Sequence, residues 1–178
     1  MKNRKLNKLV ISALFCAIIC AATFVVQIPS PATGGYVNLG DCFVLTAGIF
    51  LGGGGVLAAG LGSALADLLA GYAQYAPVTF VIKALMALVA FAIYKALSKK
   101  SKIGGIILGG ISAEALMVLG YFAYEAVILK YGMAAAGSIV PNVIQGVVGI
   151  AAATAVCTAL DKARKHSKTL NSFFDKED

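Results

Sequence analysis

The chain has 178 residues, of which 60% are hydrophobic and only 13% are charged, and its formal net charge is +7. A soluble domain of this size could not bury so much apolar surface, so lipid must cover the remainder. About six membrane spans would use most of the length and leave no room for a soluble catalytic domain. The basic residues lie at the ends of apolar segments without interleaved aromatics, which favours a signal for membrane orientation over nucleic-acid binding.

Six apolar segments predict an all-α integral membrane protein made of one six-helix domain. The first, residues 9–26, follows a basic start like a secretory signal, but it is too long for a signal core and further spans follow it. The proline- and glycine-rich residues 28–35 predict a loop. The other helices are predicted over residues 38–51, 56–70, 77–97, 103–129 and 138–160, with the four glycines at 52–55 joining the second helix to the third. Residues 161–178 predict a polar cytoplasmic tail that frays.

The distribution of basic residues predicts the orientation of the bundle. Most of the 15 Lys and Arg residues lie before residue 9, between residues 95 and 102, or after residue 160. The loops on the other side contain only Lys130. Because positively charged loops stay in the cytoplasm, both termini are predicted to be cytoplasmic, in a multi-pass protein of the cell membrane. Three loops are then predicted to face outward, at residues 27–37, 71–77 and 130–137.

Charged residues inside the apolar spans are the strongest functional signal, because an intramembrane charge is costly and lines a cavity or pairs with another charge. All but Glu114 are predicted in the outward half of the membrane. Structural alternatives stay open: Lys83 could serve only to neutralise Asp67 or Asp41, Asp41 could cap its helix, and Glu114 could be a structural hydrogen-bonding residue. The five charges are Asp41, Asp67, Lys83, Glu114 and Glu125.

Helices 5 and 6 add polar groups at a similar depth. Glu114, Tyr121 and Glu125 are seven and then four residues apart, which places them on one helix face. Asn142 and Gln145 are three residues apart and point the same way. Such groups suit a small polar aromatic ligand, because tyrosines stack on a ring while the other groups bind its heteroatoms and hydroxyls. The predicted site opens outward.

Several other kinds of site are not predicted. The glycine run at 52–55 is followed by no Lys-Ser or Lys-Thr, so it is not a phosphate loop. The single histidine, His166, lies in the tail, and the cysteines lack zinc-site spacing. A carboxylate-pair protease using Asp41 and Asp67 lacks a recognisable motif. We therefore predict no catalytic residues, no metal site and no resident cofactor.

Alanines at every fourth position form a smooth stripe on helix 1. Ala13, Ala17 and Ala21 lie on one helix face, where another helix can approach closely. Taken alone, the stripe is most simply explained by packing inside the bundle. Small residues on helices 3 and 5 have the same explanation.

Four stretches resemble one family of membrane proteins. These are GYVNLGD at 35–41, GSALADLLAGY at 62–72, YAP at 75–77 and Lys83. Together they resemble the substrate-binding S components of energy-coupling factor (ECF) vitamin transporters, in the branch with riboflavin, hydroxymethylpyrimidine and pyridoxine types. The resemblance covers essentially the whole chain. It implies a six-helix protein of a prokaryotic plasma membrane that captures a B-vitamin or its heterocyclic precursor from outside.

The resemblance also implies partners and site residues. A membrane coupling protein (T component) and two cytoplasmic ATPases would drive transport, and the stripe of Ala13, Ala17 and Ala21 would dock on the coupling protein. The ligand would lie among the outer loops and helices 4 to 6. Since the chain has no tryptophan, stacking must come from Tyr or Phe, which makes thiamine less suitable. The candidate substrate-binding residues are Asn38, Asp41, Asp67, Tyr75, Lys83, Glu114, Tyr121, Glu125, Asn142 and Gln145.

Two other functions are alternatives to substrate capture. A stand-alone secondary transporter could use Lys83, Glu114 and Glu125 to carry protons, but the chain shows no inverted repeat and no interrupted span. A membrane scaffold without transport activity would not need polar groups converging at one depth.

Overall fold

The computed structural model describes residues 2–30 and 35–166. This part of the chain forms six α-helices, which confirms the predicted all-α class and helix number. A short antiparallel hairpin of two strands, β1 (Gln27–Ser30) and β2 (Gly35–Asn38), follows the first helix and pairs Gln27 with Asn38. The helices are α1 (Lys2–Val25), α2 (Asp41–Leu51), α3 (Gly53–Leu69), α4 (Ala76–Leu97), α5 (Lys102–Ala123) and α6 (Ile139–His166).

The hairpin corrects two predictions near residue 35. Residues 28–30 and 35 are strand rather than loop, and residues 31–34 lie outside the described part. The second helix begins at Asp41 and not at residue 38, because Asn38 ends β2. The Asn38 Oδ1 atom accepts a hydrogen bond from Gly40 N at 2.8 Å, and this side-chain turn separates strand from helix.

Two helix junctions also differ from prediction. Gly52 alone joins α2 to α3, with φ of 55°, and the next three glycines are helical because the chain needs a left-handed residue only once. After α5, residues Tyr124–Ile128 form a single π-helical turn, and a 3₁₀ segment over Gly132–Ser138 leads into α6. The predicted fifth helix therefore changes its hydrogen-bonding pattern near its outer end.

The polar segment after residue 160 is not all tail. Residues 161–166 continue α6, and Asp161 Oδ2 lies 2.5 Å from Lys102 Nζ at the start of α5. Residues 167–178 lie outside the described part of the chain. At the same end of the bundle, the Arg164 guanidinium lies 5.8 Å from the centroid of the Phe50 ring, in the last turn of α2. Basic residues of α5 and α6 therefore gather at one end, and its cytoplasmic placement stays a prediction.

Four helical segments are long and apolar enough to cross a bilayer, judged by length and composition: Lys5–Val25, Ala76–Leu97, Lys102–Ile128 and Gly132–His166. The other two helices are shorter. With 11 residues, α2 extends about 16 Å, roughly half of a hydrocarbon core. Its first residue, Asp41, is 1% exposed, so it is buried inside the bundle.

The short helix α2 is the centre of the bundle. Nine of its 11 residues are buried, and it contacts α1, α3, α4 and α6. Close approach depends on small residues: a Cβ at Gly48 would overlap the backbone carbonyl of Ala87 on α4. On the outside, α3 exposes a row of leucines, Leu57, Leu61, Leu65 and Leu68, as expected of a surface covered by lipid.

Candidate functional site

A polar cavity lies among the described helices and the hairpin. It encloses about 510 Å³ of space free of protein atoms, including its open mouth. Its lining comes from α1, β2, α3, α4, α5, α6 and the segments between them. The lining residues are Thr23, Gly35, Tyr36, Asn38, Ser63, Asp67, Tyr75, Thr79, Lys83, Tyr121, Glu125, Ser138, Asn142 and Gln145.

The cavity brings together most of the residues that the sequence singled out. Of the predicted site residues, only Asp41 and Glu114 do not line it. Among the residues that sequence reasoning missed, Ser63 and Thr79 each lie four positions before a predicted site residue, on the same helix face. Tyr36 lies within the GYVNLGD stretch. Thr23 and Ser138 carry no comparable signal, because small polar residues are common in membrane helices.

A buried ion pair lies beside the cavity, and Lys83 is the member that lines it. Lys83 Nζ makes a salt bridge with Asp41 Oδ1, and the two side chains are 2% and 1% exposed. Asp41 Oδ2 accepts from Gln145 Nε2 at 2.5 Å, and Gln145 Oε1 accepts from Asn38 N at 2.6 Å. The Lys83 ammonium also lies 3.2 Å from Met117 Sδ. This network joins β2, α2, α4 and α6 and fixes the Gln145 amide.

The network answers two of the structural alternatives raised by the sequence, one for Lys83 and one for Asp41. Lys83 pairs with Asp41 rather than with Asp67. Asp41 does not cap its helix, because Gly40 occupies the cap position and both oxygens of Asp41 bind side chains. The charge of Lys83 is therefore compensated by Asp41.

Two further carboxylates lie in the cavity wall, each bound by a tyrosine. Asp67 Oδ1 accepts from the Tyr36 hydroxyl at 2.6 Å, and Glu125 Oε1 accepts from the Tyr75 hydroxyl at 3.1 Å. The second oxygens, Asp67 Oδ2 and Glu125 Oε2, are buried and make no hydrogen bond of ordinary geometry within residues 2–30 and 35–166. The Thr79 hydroxyl lies within hydrogen-bonding reach of the Asp67 carboxyl.

Tyrosine rings surround these carboxylates. The centroids of Tyr36 and Tyr72 are 4.7 Å apart, and Tyr75 lies 6.5 Å from Tyr121 and 5.7 Å from Tyr124. Burial and the Asp67 carboxylate raise the pKa of Tyr36, so its hydroxyl stays protonated and can donate to Asp67. The rings offer apolar faces against which a flat ligand can stack.

Asn142 is the cavity residue best placed to meet a ligand. It is 8% exposed, lies one turn before Gln145 on α6, and makes no side-chain hydrogen bond within the described part of the chain. An amide has two donors and an acceptor, so this side chain can bind a heteroatom of either kind.

Glu114 is buried beside the cavity without lining it. Its side chain is 4% exposed, and neither carboxyl oxygen has a hydrogen-bond partner among the described residues. It packs against α6 at Gly146, where the absence of a side chain leaves room for it. A Cβ at Gly146 would lie 3.0 Å from Glu114 Cβ. Glu114, Tyr121 and Glu125 were predicted to share one helix face that lines the site. Only Tyr121 and Glu125 line the cavity.

Residues 3–162 match the sequence model of a family described as "ECF-type riboflavin transporter, S component". The chain belongs to this family. A similar protein is an uncharacterised protein of Pyrococcus woesei, 36% identical over 135 residues, which are 74% of this chain and 86% of that protein. The family match confirms the resemblance seen in the four sequence stretches.

Family membership establishes the general role of the protein. It is the substrate-binding S component of an ECF transporter, of the riboflavin type, and a multi-pass protein of the plasma membrane. The family consists of transporter subunits and not of enzymes. It also favours the binding subunit over the stand-alone proton-coupled transporter.

Proposed function

We propose that this S component captures a small B-vitamin or heterocyclic precursor, of the riboflavin, hydroxymethylpyrimidine or pyridoxine class, in the polar cavity. One observation carries the proposal. Tyrosine faces, two partly bound carboxylates and the Asn142 amide, which has no hydrogen-bond partner among the described residues, line one cavity in an otherwise apolar bundle. Unpaired polar groups inside a membrane bundle are costly, so their collection in one place is best explained by a ligand that binds them.

The proposed binding mode follows from the lining. A flat ring would lie against Tyr75 and Tyr121, with its edge towards Asn142 and Gln145 on α6. Gln145 is held by Asp41 and by the backbone of β2, so it needs no rearrangement to bind. The Asp41–Lys83 pair would support the site: Lys83 lines the cavity, whereas Asp41 fixes the positions of Lys83 and Gln145.

The proposed direction of capture is from the outside. Tyr36 of the hairpin and Tyr75, just before α4, line the cavity, and they belong to two of the loops that the basic residues predict to face outward. The Lys102–Asp161 pair and Arg164 lie at the other end of the bundle. A ligand would therefore enter beside the hairpin.

The alanine stripe of α1 is the proposed contact with the coupling protein. Ala13, Ala17 and Ala21 are all exposed, so they do not pack inside the bundle. The side of α1 that packs inward carries buried Ile19 and Thr23 instead. A smooth exposed stripe allows another membrane helix to approach closely. Through this contact, a membrane coupling protein and two cytoplasmic ATPases would supply the energy for transport.

Calorimetry tests the proposed capture. Purified protein would be titrated with riboflavin, hydroxymethylpyrimidine, pyridoxine and thiamine. Saturable binding of one of the first three compounds, with thiamine weaker, is the expected result. Absence of saturable binding to every compound would overturn the proposal. Accumulation of ligand by vesicles containing this chain alone, driven by a proton gradient, would instead support the stand-alone transporter.

A further inference from the structure

The charges around the cavity do not balance. Lys83 is the one cationic side chain that lines it among the described residues, and its charge is compensated by the buried salt bridge to Asp41. Asp67 and Glu125 also line the cavity, and neither forms a salt bridge within residues 2–30 and 35–166. When these two groups are ionised, the lining carries an excess of negative charge.

The hydrogen bonds are incomplete at the same two residues. Each carboxylate has one oxygen bound by a tyrosine hydroxyl and one buried oxygen without an ordinary hydrogen bond. An ionised carboxylate can only accept hydrogen bonds, so each free oxygen needs a donor. Asp67 is 4% exposed and Glu125 is 3% exposed, so bulk water has little access to either.

The neighbouring side chains cannot supply both donors. The Tyr36 and Tyr75 hydroxyls already donate to the first oxygens, and the Tyr121 hydroxyl donates to Thr79 Oγ1 at 3.0 Å. The Thr79 hydroxyl is available to Asp67 alone, and nothing comparable lies beside Glu125 Oε2 in the described structure. The faces of the tyrosine rings favour a cation as well, because aromatic faces carry partial negative charge.

We propose that Asp67 and Glu125 set the charge preference of this S component: they select a heterocycle that carries an amino group or a protonated ring nitrogen, and they reject phosphorylated forms. This proposal rests on the capture function proposed above and narrows its ligand. An amino group or ring N–H would donate to the free carboxylate oxygens, Glu125 Oε2 above all. A phosphate would face uncompensated carboxylates in a site with little water, which strongly disfavours it.

Pairs of ligands test the preference on the unaltered full-length protein. The first pair is hydroxymethylpyrimidine, which carries a 4-amino group, and its N3-methylated analogue with a carbonyl oxygen in place of that group, which has no ring N–H. The second pair is hydroxymethylpyrimidine and its phosphate ester. Calorimetry should show binding of the amino compound about tenfold or more tighter than the carbonyl analogue, and no measurable binding of the ester. Equal affinities within either pair would overturn the proposal.

Variants then assign the preference to the two carboxylates. In Glu125→Gln, the preference for the amino compound over its carbonyl analogue should fall to about threefold or less. Asp67→Asn tests the second carboxylate in the same way. Asp161→Asn is the matched control, since it removes a carboxylate at the other end of the bundle and should keep the full preference. An unchanged preference in both cavity variants would overturn the assignment.

Riboflavin separates this proposal from the capture function. If riboflavin binds and the amino compound does not, capture stands and the charge preference is wrong. If no compound binds, both are wrong.

Discussion

Lys83 of α4 and Asp41 of α2 form a salt bridge in the interior of the bundle, between residues 42 positions apart in the sequence. Both side chains are almost fully buried, and the pair connects the central helix to the wall of the cavity. Its partners, Gln145 and Met117, extend the connection to α6 and α5. The pair is therefore a structural support, and its Lys83 member is also part of the candidate site.

Removing one member of this pair should destabilise the protein. In Asp41→Asn, the ammonium of Lys83 loses its compensating charge while it stays buried, which costs about 3–5 kcal/mol. The thermal unfolding temperature in detergent should fall clearly. In the double variant Asp41→Asn with Lys83→Met, no charge is left uncompensated, so part of the lost stability should return. A double variant less stable than Asp41→Asn would contradict this account of the pair.

Asn142→Ala should weaken ligand binding without weakening the fold. The Asn142 amide makes no hydrogen bond within the described residues, so its removal breaks none there. Loss of a ligand hydrogen bond should lower affinity by about tenfold, corresponding to roughly 1.4 kcal/mol. Calorimetry measures the affinity and thermal unfolding measures the stability. Gln74→Ala, at an exposed position outside the cavity, is the control and should leave both unchanged.

Ala17→Leu should separate ligand binding from assembly. Ala17 is exposed on the outer side of α1 and does not line the cavity, so a larger side chain there leaves the candidate site intact. It would prevent close approach of a partner helix, and co-purification with the coupling protein and ATPases should be lost. Ala115→Leu, at an exposed alanine of α5, is the matched control and should co-purify normally. Normal co-purification of Ala17→Leu would show that the stripe is not the docking surface.

Gly48→Ala and Gly53→Ala should have opposite effects on stability. A Cβ at Gly48 would overlap the Ala87 backbone carbonyl, which cannot move aside without separating α2 from α4. The expected cost is about 1–3 kcal/mol. No atom lies within 4 Å of a Cβ at Gly53, which is helical, so alanine there should be neutral or stabilising by up to about 1 kcal/mol. Thermal unfolding of both variants checks the pair, and equal destabilisation would contradict it.

The six helices could be predicted because each is a continuous apolar run bounded by glycine, proline or charge. The hairpin could not, because its strands are four residues each and contain the proline and glycines that indicate a loop. The burial of Asp41 could not be predicted either. An aspartate at the start of an apolar run suggests an exposed helix end, whereas α2 lies at the centre of the bundle and its first residue is buried among the other helices.

Candidate site residues were easier to find than their partners. Charged and amide side chains stand out in apolar segments, which is why Lys83, Glu125 and Asn142 could be found from the sequence. Lys83 pairs with Asp41 and not with Asp67 because of the way the helices pack. The spacing of residues along the chain contains no information about that packing. The same holds for Glu114, which shares a helix face with Tyr121 yet is covered by the glycines of α6.

The central claim is that the polar cavity holds the ligand, and a fluorescence titration tests it most directly. The chain has seven tyrosines and no tryptophan, and several of the tyrosines surround the cavity, so their emission should respond when a ring stacks against them. We expect a saturable change at one ligand per chain with hydroxymethylpyrimidine or riboflavin, and its loss at the same concentrations in Asn142→Ala combined with Glu125→Gln. Undiminished saturable binding in that folded double variant would contradict the claim.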